Sequence, residues 1–445
     1  MTNVRRIAYN AINRVLDDGA YSAIVIDTLC KEYNLSQLDS SFLSALTYGV
    51  LERKILLDYI IEQYSSIRFS KIDKDTLSVL RLGVYQLCFM DKVPNNAAVN
   101  ESVKLAKSLK LFRSSGFINA ILRNIARNDC KYTLPNNEDM IKYFSVKYSC
   151  PADLVKSFIS SYGEDIAERI LKSFENRPQL TIRVNILKTS KQELQESLKK
   201  QGIEVEEVSY LLNALSIKNT GAIEKTEEYK KGLFYVQDAS SQLCCEILDA
   251  KENDILCDVC SAPGGKSFYS AIKMNNKGTI HSFDIHNHKI RLIDDMAKRL
   301  GINIIDSSIR DASDKRAVLP NCNKLLCDVP CSGFGIIRRK PEIRYKKDIN
   351  IDLLPQLQYS ILCSNCEKIP TGCTVVYSTC TLNNKENKDI VEKFLSEHKN
   401  FEPVSITLPE NITHLVNEPA YMLTIIPGVY NSDGFFISKF KKVSE

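Results

Sequence analysis

The sequence predicts a multidomain chain: an all-α bundle, then a small α+β module, then a C-terminal α/β domain. Three observations predict it. Through residues 1–132 apolar side chains recur at spacings of three and four, with almost no strand signal. Within 140–232 a strand, an amphipathic helix and a further strand follow one another. From 235 to 445 short apolar strands alternate with helices, which predicts a parallel sheet covered on both faces. The 445-residue length fits this division, because a chain of that size is too long for one core.

The helical pattern is carried by "VRRIAYNAINRVL" (4–16), "SAIVIDTLCKEY" (22–33), "SSFLSALTYGVLERKILLDYIIEQY" (40–64), "KDTLSVLRLGVYQLCFM" (74–90) and "AVNESVKLAKSL" (98–109). Pro94 and the asparagines after it mark a helix start. "NDCKYTLPNNED" (128–139) reads as a linker. In the second part "QLTIRVNILK" (179–188) is a strand carrying Arg183. "SKQELQESLKKQG" (190–202) is a helix ended by Gly202, and "IEVEEV" (203–208) and "ALSIKN" (214–219) are strands. In the third part "DILCDV", "TIHSFD", "INIIDSS", "KLLCDV" and "TVVYSTC" are strands with helices between them. The tail "AYMLTIIPGVYNSDGFFISKF" (420–440) has two strands without a helix, so it predicts an antiparallel hairpin at the sheet edge.

Hydrophobic content of 44% and charged content of 25% are ordinary for a globular protein. No apolar run approaches about 18 residues, so no transmembrane helix is expected. The first residues, "MTNVRRIAYNAINRVLDDGAYS", lack the apolar core of an export signal. Fifteen cysteines in such a chain argue for free thiols in a reducing compartment, and a cytoplasmic protein with no membrane partner is expected. The net charge of +5 is unevenly placed. Residues 101–132 hold Lys104, Lys107, Lys110, Arg113, Arg123, Arg127 and Lys131 against Glu101 and Asp129, and a second basic run is "IIRRKPEIRYKK" (336–347). Two such runs point to a polyanion such as nucleic acid.

The chemistry-bearing residues gather at strand ends. "CSAPGGKS" follows the strand "DILCDV", so Gly264 and Gly265 let backbone approach a ligand where a helix begins. The spacing is neither that of the phosphate loop nor G-x-G-x-x-G. The second strand ends in Asp284, 26 residues after Asp258, where an acid receives ribose hydroxyls in a nucleoside-binding sheet. Asp311, after the third strand, can accept from an adenine amine. Asp328 closes the fourth strand just before Pro330 and Cys331, and Cys380 ends the fifth. Open α/β sheets bind ligands at these carboxyl ends. Cys363/Cys366 and Cys257/Cys260 have zinc-ligand spacing, but the first pair falls in a helical, apolar stretch and the second straddles a strand end, so no metal is expected. A Ser/His hydrolase is not expected: there is no G-x-S-x-G, and His281, His286, His288, His398 and His414 have no such context.

"DVCSAPGGKS", "DVPCSGFGIIRRKPEIRY" and "YSTCTLNNKEN" resemble the motifs of the RNA 5-methylcytosine methyltransferases. "VPNNAAVNESVKLAK", "FINAILRNIAR", "LTIRVNILKTS" and "GLFYVQDASSQL" are similar to successive segments of the RsmB (Fmu/Sun) family of bacterial 16S rRNA (cytosine-5) methyltransferases, over nearly the whole chain. The resemblance implies a NusB-like RNA-binding bundle over 1–132, a ferredoxin- or RRM-like RNA-binding module over 140–232, and a Rossmann-like methyltransferase domain over 235–445. It implies S-adenosylmethionine as cofactor, bound by Cys260, Ser261, Ala262, Pro263, Gly264, Gly265, Lys266, Asp284, Asp311 and Asp328. It places the nucleophile on Cys380 and a cysteine assisting product release on Cys331. Ser261, Ser267 and Asn96 depart from the usual family residues without removing a functional group.

Those residues suit the reaction. Carbon 5 of cytosine is a poor nucleophile until a thiolate adds at carbon 6. Asp328 can then stabilise the adduct at ring nitrogen 3. Elimination needs a second group, and Cys331 is the candidate. The base must be unstacked to be reached, and Arg338, Arg339, Lys340 and Arg344 beside Cys331, with Arg183, are expected to hold RNA. The expected partner is 16S rRNA or a small-subunit assembly intermediate, engaged by a monomer. The alternatives are a tRNA 5-methylcytosine methyltransferase, which usually lacks the bundle, and a catalytically idle rRNA-binding assembly factor, which has no reason to keep both cysteines, Asp328 and the Gly-Gly turn.

Overall fold

The computed structural model of the chain describes residues 3–176, 178–218, 221–346 and 352–445. It forms two compact units, Met1–Asn176 with Ile337–Ile349, and Arg177–Ile336 with Asn350–Glu445.

The first unit is helical: α1 (Val4–Asp17), α2 (Ser22–Glu32), α3 (Gln37–Tyr64), α4 (Lys74–Phe89), α5 (Asn95–Ser108), α6 (Phe112–Arg127), α7 (Met140–Lys147) and α8 (Ala152–Ser173). Side chains start several of them. Asn3 accepts from the amides of Arg5 and Arg6, Ser36 from Asp39, and Asp73 from Thr76. The apolar stripes meet in one core around Ile12, Leu43, Leu57, Leu80 and Leu122.

Two features of this unit depart from the expected boundaries. α7 and α8, in the region taken as the start of the α+β module, pack in the helical unit. So does the segment after the Pro-Cys loop. There the Glu342 carboxylate accepts from Ser22 N at 3.0 Å and Ser22 Oγ at 2.8 Å, and Arg344 Nη1 donates to Ser149 O at 2.8 Å. These partners lie some two to three hundred residues away in sequence, so no local pattern announces them.

The second unit begins with β1 (Leu180–Val184), α9 (Lys191–Lys200), β2 (Glu204–Glu207), β3 (Ala214–Lys218), α10 (Glu227–Lys230) and β4 (Phe234–Val236). Asn219, the expected last residue of the third of these strands, lies outside the described residues. The sheet is antiparallel in the order β2-β3-β1-β4. Ser190 and Glu193 form a reciprocal capping box at the start of α9.

The larger sheet follows: α11 (Ala239–Leu248), β5 (Ile255–Asp258), α12 (Gly265–Lys273), β6 (Thr279–Asp284), α13 (Asn287–Leu300), β7 (Ile305–Ile309), β8 (Lys324–Asp328), α14 (Leu354–Cys366), β9 (Thr374–Thr379), α15 (Lys388–Glu397), β10 (Phe401–Pro403), β11 (Met422–Ile425) and β12 (Phe435–Lys442). Its order is β10-β12-β9-β8-β5-β6-β7, with β11 also on β12. β5 to β9 run parallel, and β12 is antiparallel to β9, β10 and β11. The tail is therefore a hairpin at the edge, to which β10 adds a strand the sequence pattern did not mark. Alternate residues face opposite cores. Leu256, Ile280, Leu326 and Val376 meet Leu243, Phe268 and Ile293 on one face. Cys257, Leu325, Cys327 and Tyr377 meet Ile361, Leu362 and Phe394 on the other. The strand order reverses between β5 and β8, which opens a crevice at their carboxyl ends.

Candidate active site

The turn after β5 is built for close packing. Gly264 has φ +100°, and a Cβ there would meet the Phe268 ring at 2.4 Å, so both backbone and space require glycine. Behind the turn, Ser267 Oγ donates to Asp258 Oδ2 at 2.8 Å and lies 3.0 Å from Ser261 Oγ and 2.8 Å from Ser282 Oγ. The two serines that depart from the family's usual residues thus both belong to the network around Asp258. Asp258 is 1% exposed, and burial pushes its carboxyl up to about 6 despite the bond from Ser267. Lys266 points to the end of β8: its Nζ donates to Asp328 Oδ2 at 2.5 Å. Burial alone would lower that ammonium, but the Asp328 carboxylate holds it above its ordinary value.

A pocket of about 260 Å³ opens beside the turn, lined among others by Cys260, Asp284, Ile285, Lys289, Arg310 and Asp311. Asp284 accepts from His286 N at 3.1 Å and from Lys289 Nζ at 3.4 Å, and Ala312, Leu357 and Ile361 add an apolar wall. An acid at the second strand tip beside an apolar wall fits a nucleoside. Three expected cofactor residues therefore line one pocket: Cys260, Asp284 and Asp311. Asp311 Oδ1 also accepts from Ser313 N and Oγ, capping its own turn. Ser261 to Lys266, in the turn that follows Cys260, and Asp328 are not among the residues that line it. Arg310, which no motif marked, is held by Val318 O and Ala317 O, and burial lowers it.

β8 and β9 pair in parallel with Asp328 opposite Ser378. Ser378 Oγ donates to Asp328 Oδ1 at 2.7 Å, so both oxygens of that carboxylate are held. Just beyond, the Cys331 and Cys380 sulfurs stand 3.3 Å apart. Gly335 N donates to Cys380 O at 3.0 Å, and Gly434 N donates to Gly335 O at 2.9 Å. A Cβ at Gly335 would lie 2.0 Å from Gly434 O, so no side chain fits there. The hydrogen bond with Cys380, and then burial, push the Cys331 thiol well above its ordinary range.

The expected RNA-binding cations divide. Arg183 is 2% exposed, lies over the Tyr269 ring at 3.9 Å and stands 3.9 Å from Glu246. Arg344 is 6% exposed, its guanidinium turned to backbone carbonyls and the Phe174 ring. Arg338 is also buried. Arg183 and Arg338 are enclosed by the protein interior, whereas Arg344 lines a pocket of about 270 Å³ together with Arg53, Lys147 and Ser149. Arg339 is half-buried and Lys340 exposed, and Lys347 lies outside the described residues. All seven cations of 101–132 are exposed. Among the described residues no helix is long and apolar enough to cross a membrane, and no group of three His, Cys, Asp or Glu could hold a metal.

Comparison with known proteins bears on this arrangement. Residues 245–441 match the 16S rRNA methyltransferase RsmB/F profile, 2–127 match the NusB family, and 150–224 match the ferredoxin-like domain of RsmF/B-like methyltransferases. The "Probable ribosomal RNA small subunit methyltransferase B" of Bacillus subtilis (strain 168) is 36% identical, covering 99% of both chains. The chain belongs to the ribosomal RNA small subunit methyltransferase B family. The protein of that name from Synechocystis sp. is 33% identical over 99% of this chain and 100% of its own. The solved structure of PH0851 shares the fold over 99% of both chains, with a TM-score of 0.79 at 23% identity. A methyltransferase homolog protein from Pyrococcus horikoshii covers 68% of this chain and 99% of its own, at 27% identity and a TM-score of 0.60. The family membership makes this chain an RNA methyltransferase with the S-adenosylmethionine-dependent fold: NusB domain, ferredoxin-like domain, then methyltransferase domain.

Proposed function

We propose that the protein transfers a methyl group from S-adenosylmethionine to carbon 5 of a cytosine in 16S rRNA, through a covalent bond between Cys380 and the base. The observation that carries this reading is the 3.3 Å separation of the Cys331 and Cys380 sulfurs beside Asp328. Two thiols at neighbouring strand ends suit a reaction with an attack and a release.

Cys260, Asp284 and Asp311, with the turn from Ser261 to Lys266, would hold S-adenosylmethionine, which supplies the methyl group. Asp284 would accept the ribose hydroxyls and Asp311 the adenine amine. Cys380, its proton lost to solvent, adds through Sγ to carbon 6. Asp328, oriented by Lys266 and Ser378, holds a proton at ring nitrogen 3 as the adduct forms. Cys331 assists elimination of the Cys380 sulfur. Lys340, Arg339 and the exposed cations of residues 101–132 would contact phosphates. The protein would act in the cytoplasm as a monomer, on 16S rRNA or a small-subunit assembly intermediate.

Bisulfite sequencing of 16S rRNA tests the reading. A strain lacking the protein should convert one cytosine that the parent strain protects, and the intact gene should restore protection. An identical protection pattern in both strains would overturn it.

A further inference from the structure

One buried carboxylate has no part in the chemistry above. Glu386 is fully buried on the loop after Cys380. It accepts four hydrogen bonds: from Ser332 N at 2.9 Å, Ser332 Oγ at 2.5 Å, Gln358 Nε2 at 2.8 Å and Asn383 Nδ2 at 2.9 Å. These donors are all neutral. A carboxylate buried among neutral groups is expensive to hold, and such groups concentrate where function requires them.

Its partners bracket Cys331. Ser332 follows that cysteine. Gln358, on α14, donates the same amide to Pro330 O at 2.9 Å, so the residue before Cys331 is tied to the network too. Ser332 Oγ also lies 2.7 Å from Thr381 Oγ1, and Thr381 follows Cys380. One carboxylate therefore joins the two loops whose sulfurs face each other.

We propose that Glu386 is a positioning residue for product release: it holds Cys331 against Cys380 by fixing the residues on either side of Cys331. This rests on the two-cysteine reading above. In release, the electron pair of the carbon 5–hydrogen bond becomes the 5,6 double bond, the carbon 6–sulfur bond breaks onto Cys380, and the carbon 5 proton passes to water. The S–H of Cys331 donates to the departing Cys380 sulfur. Glu386 touches neither the base nor the cofactor. Its negative charge near Cys331, acting after the Cys380 bond and burial, adds to keeping that thiol protonated.

The test compares full-length Glu386→Gln, Gln358→Leu and Cys331→Ala with the parent protein on an unmodified small-subunit rRNA transcript. Glutamine keeps the shape but turns an NH2 toward groups that donate. In Glu386→Gln, methyl transfer in a single turnover should stay within about threefold of the parent, while steady-state turnover falls about tenfold or more. Enzyme covalently joined to RNA should accumulate on a denaturing gel, with S-adenosylmethionine affinity unchanged. Loss of single-turnover transfer and steady-state turnover in equal proportion would mean a merely structural role and would overturn the inference, as would parental turnover without adduct. If Glu386→Gln does not fold, Gln358→Leu, which removes one arm of the network, must show the adduct or the inference fails. Cys331→Ala separates the two claims: no adduct there sinks the two-cysteine reading, whereas an adduct there but none in Glu386→Gln sinks this inference alone.

Discussion

Lys266 Nζ and Asp328 Oδ2 lie 2.5 Å apart, joining the glycine turn after β5 to the end of β8. The lysine side chain is 10% exposed and the carboxylate 27%. Removing one member of a buried pair leaves the other charge uncompensated, at a cost of about 3–5 kcal/mol. Lys266→Met should therefore unfold at markedly lower denaturant concentration than the parent. An unchanged midpoint would show that Asp328 does not depend on this lysine.

Asp258 predicts a pH dependence with an unusual sign. Its folded-state carboxyl is pushed up to about 6, above the ordinary 3.8. Between those values the folded state binds more protons than the unfolded, so this group's contribution is greatest at low pH and is lost as pH rises through about 6. The loss amounts to about 3 kcal/mol, two pKa units at 1.36 kcal/mol each. Asp258→Asn should gain stability relative to the parent as pH rises from about 4 to 7. Denaturant titrations across that range check this; a difference that does not vary with pH would contradict it.

Gly335→Ala should be damaging out of proportion to one methyl group. Its Cβ would lie 2.0 Å from Gly434 O, where backbone must move. Overpacking of this kind costs about 1–3 kcal/mol, and here it also strains the bond to Cys380 O. Thermal unfolding and a methylation assay should both fall. Parental methylation would show that the two loops can separate without consequence.

RNA affinity should depend on the exposed cations and not on the buried ones. Replacing Lys104, Lys107, Arg123 and Arg127 by glutamine should flatten the salt dependence of binding, by up to about 0.7–0.9 in log–log slope for each phosphate no longer neutralised. Arg183→Met should lower stability, because the guanidinium packs on Tyr269, and leave that slope alone. A changed slope in Arg183→Met would return Arg183 to the RNA-binding set.

Much of this was legible in the sequence, for physical reasons. The central strands are short apolar runs buried on both faces, so the strand-end placement of Asp284, Asp328, Cys331 and Cys380 could be read from the sequence, while the roles given to the two cysteines came from the family resemblance. What could not be read depends on distant partners. Arg183 looks like a surface cation on a strand until Tyr269 and Glu246 cover it. Glu342 and Arg344 look like part of a basic loop until Ser22 donates to the first and Ser149 O accepts from the second. Glu386 looks like one acid among "NNKEN" until Ser332 and Gln358 reach it from other elements. α8 is the exception: Leu154, Val155 and Phe158 and, beyond Gly163, Ala167, Ile170 and Leu171 fall at helical spacing, a signal the sequence does carry.

The division of labour between the two cysteines is the central claim, and adduct trapping on a denaturing gel tests it most directly. Cys331→Ala, incubated with S-adenosylmethionine and unmodified small-subunit rRNA, should remain covalently joined to RNA. Cys380→Ala should give neither adduct nor product, and the double variant no adduct. An adduct with Cys380→Ala would instead make Cys331 the nucleophile, and no adduct in any variant, with all of them equally destabilised, would contradict a covalent role for either sulfur.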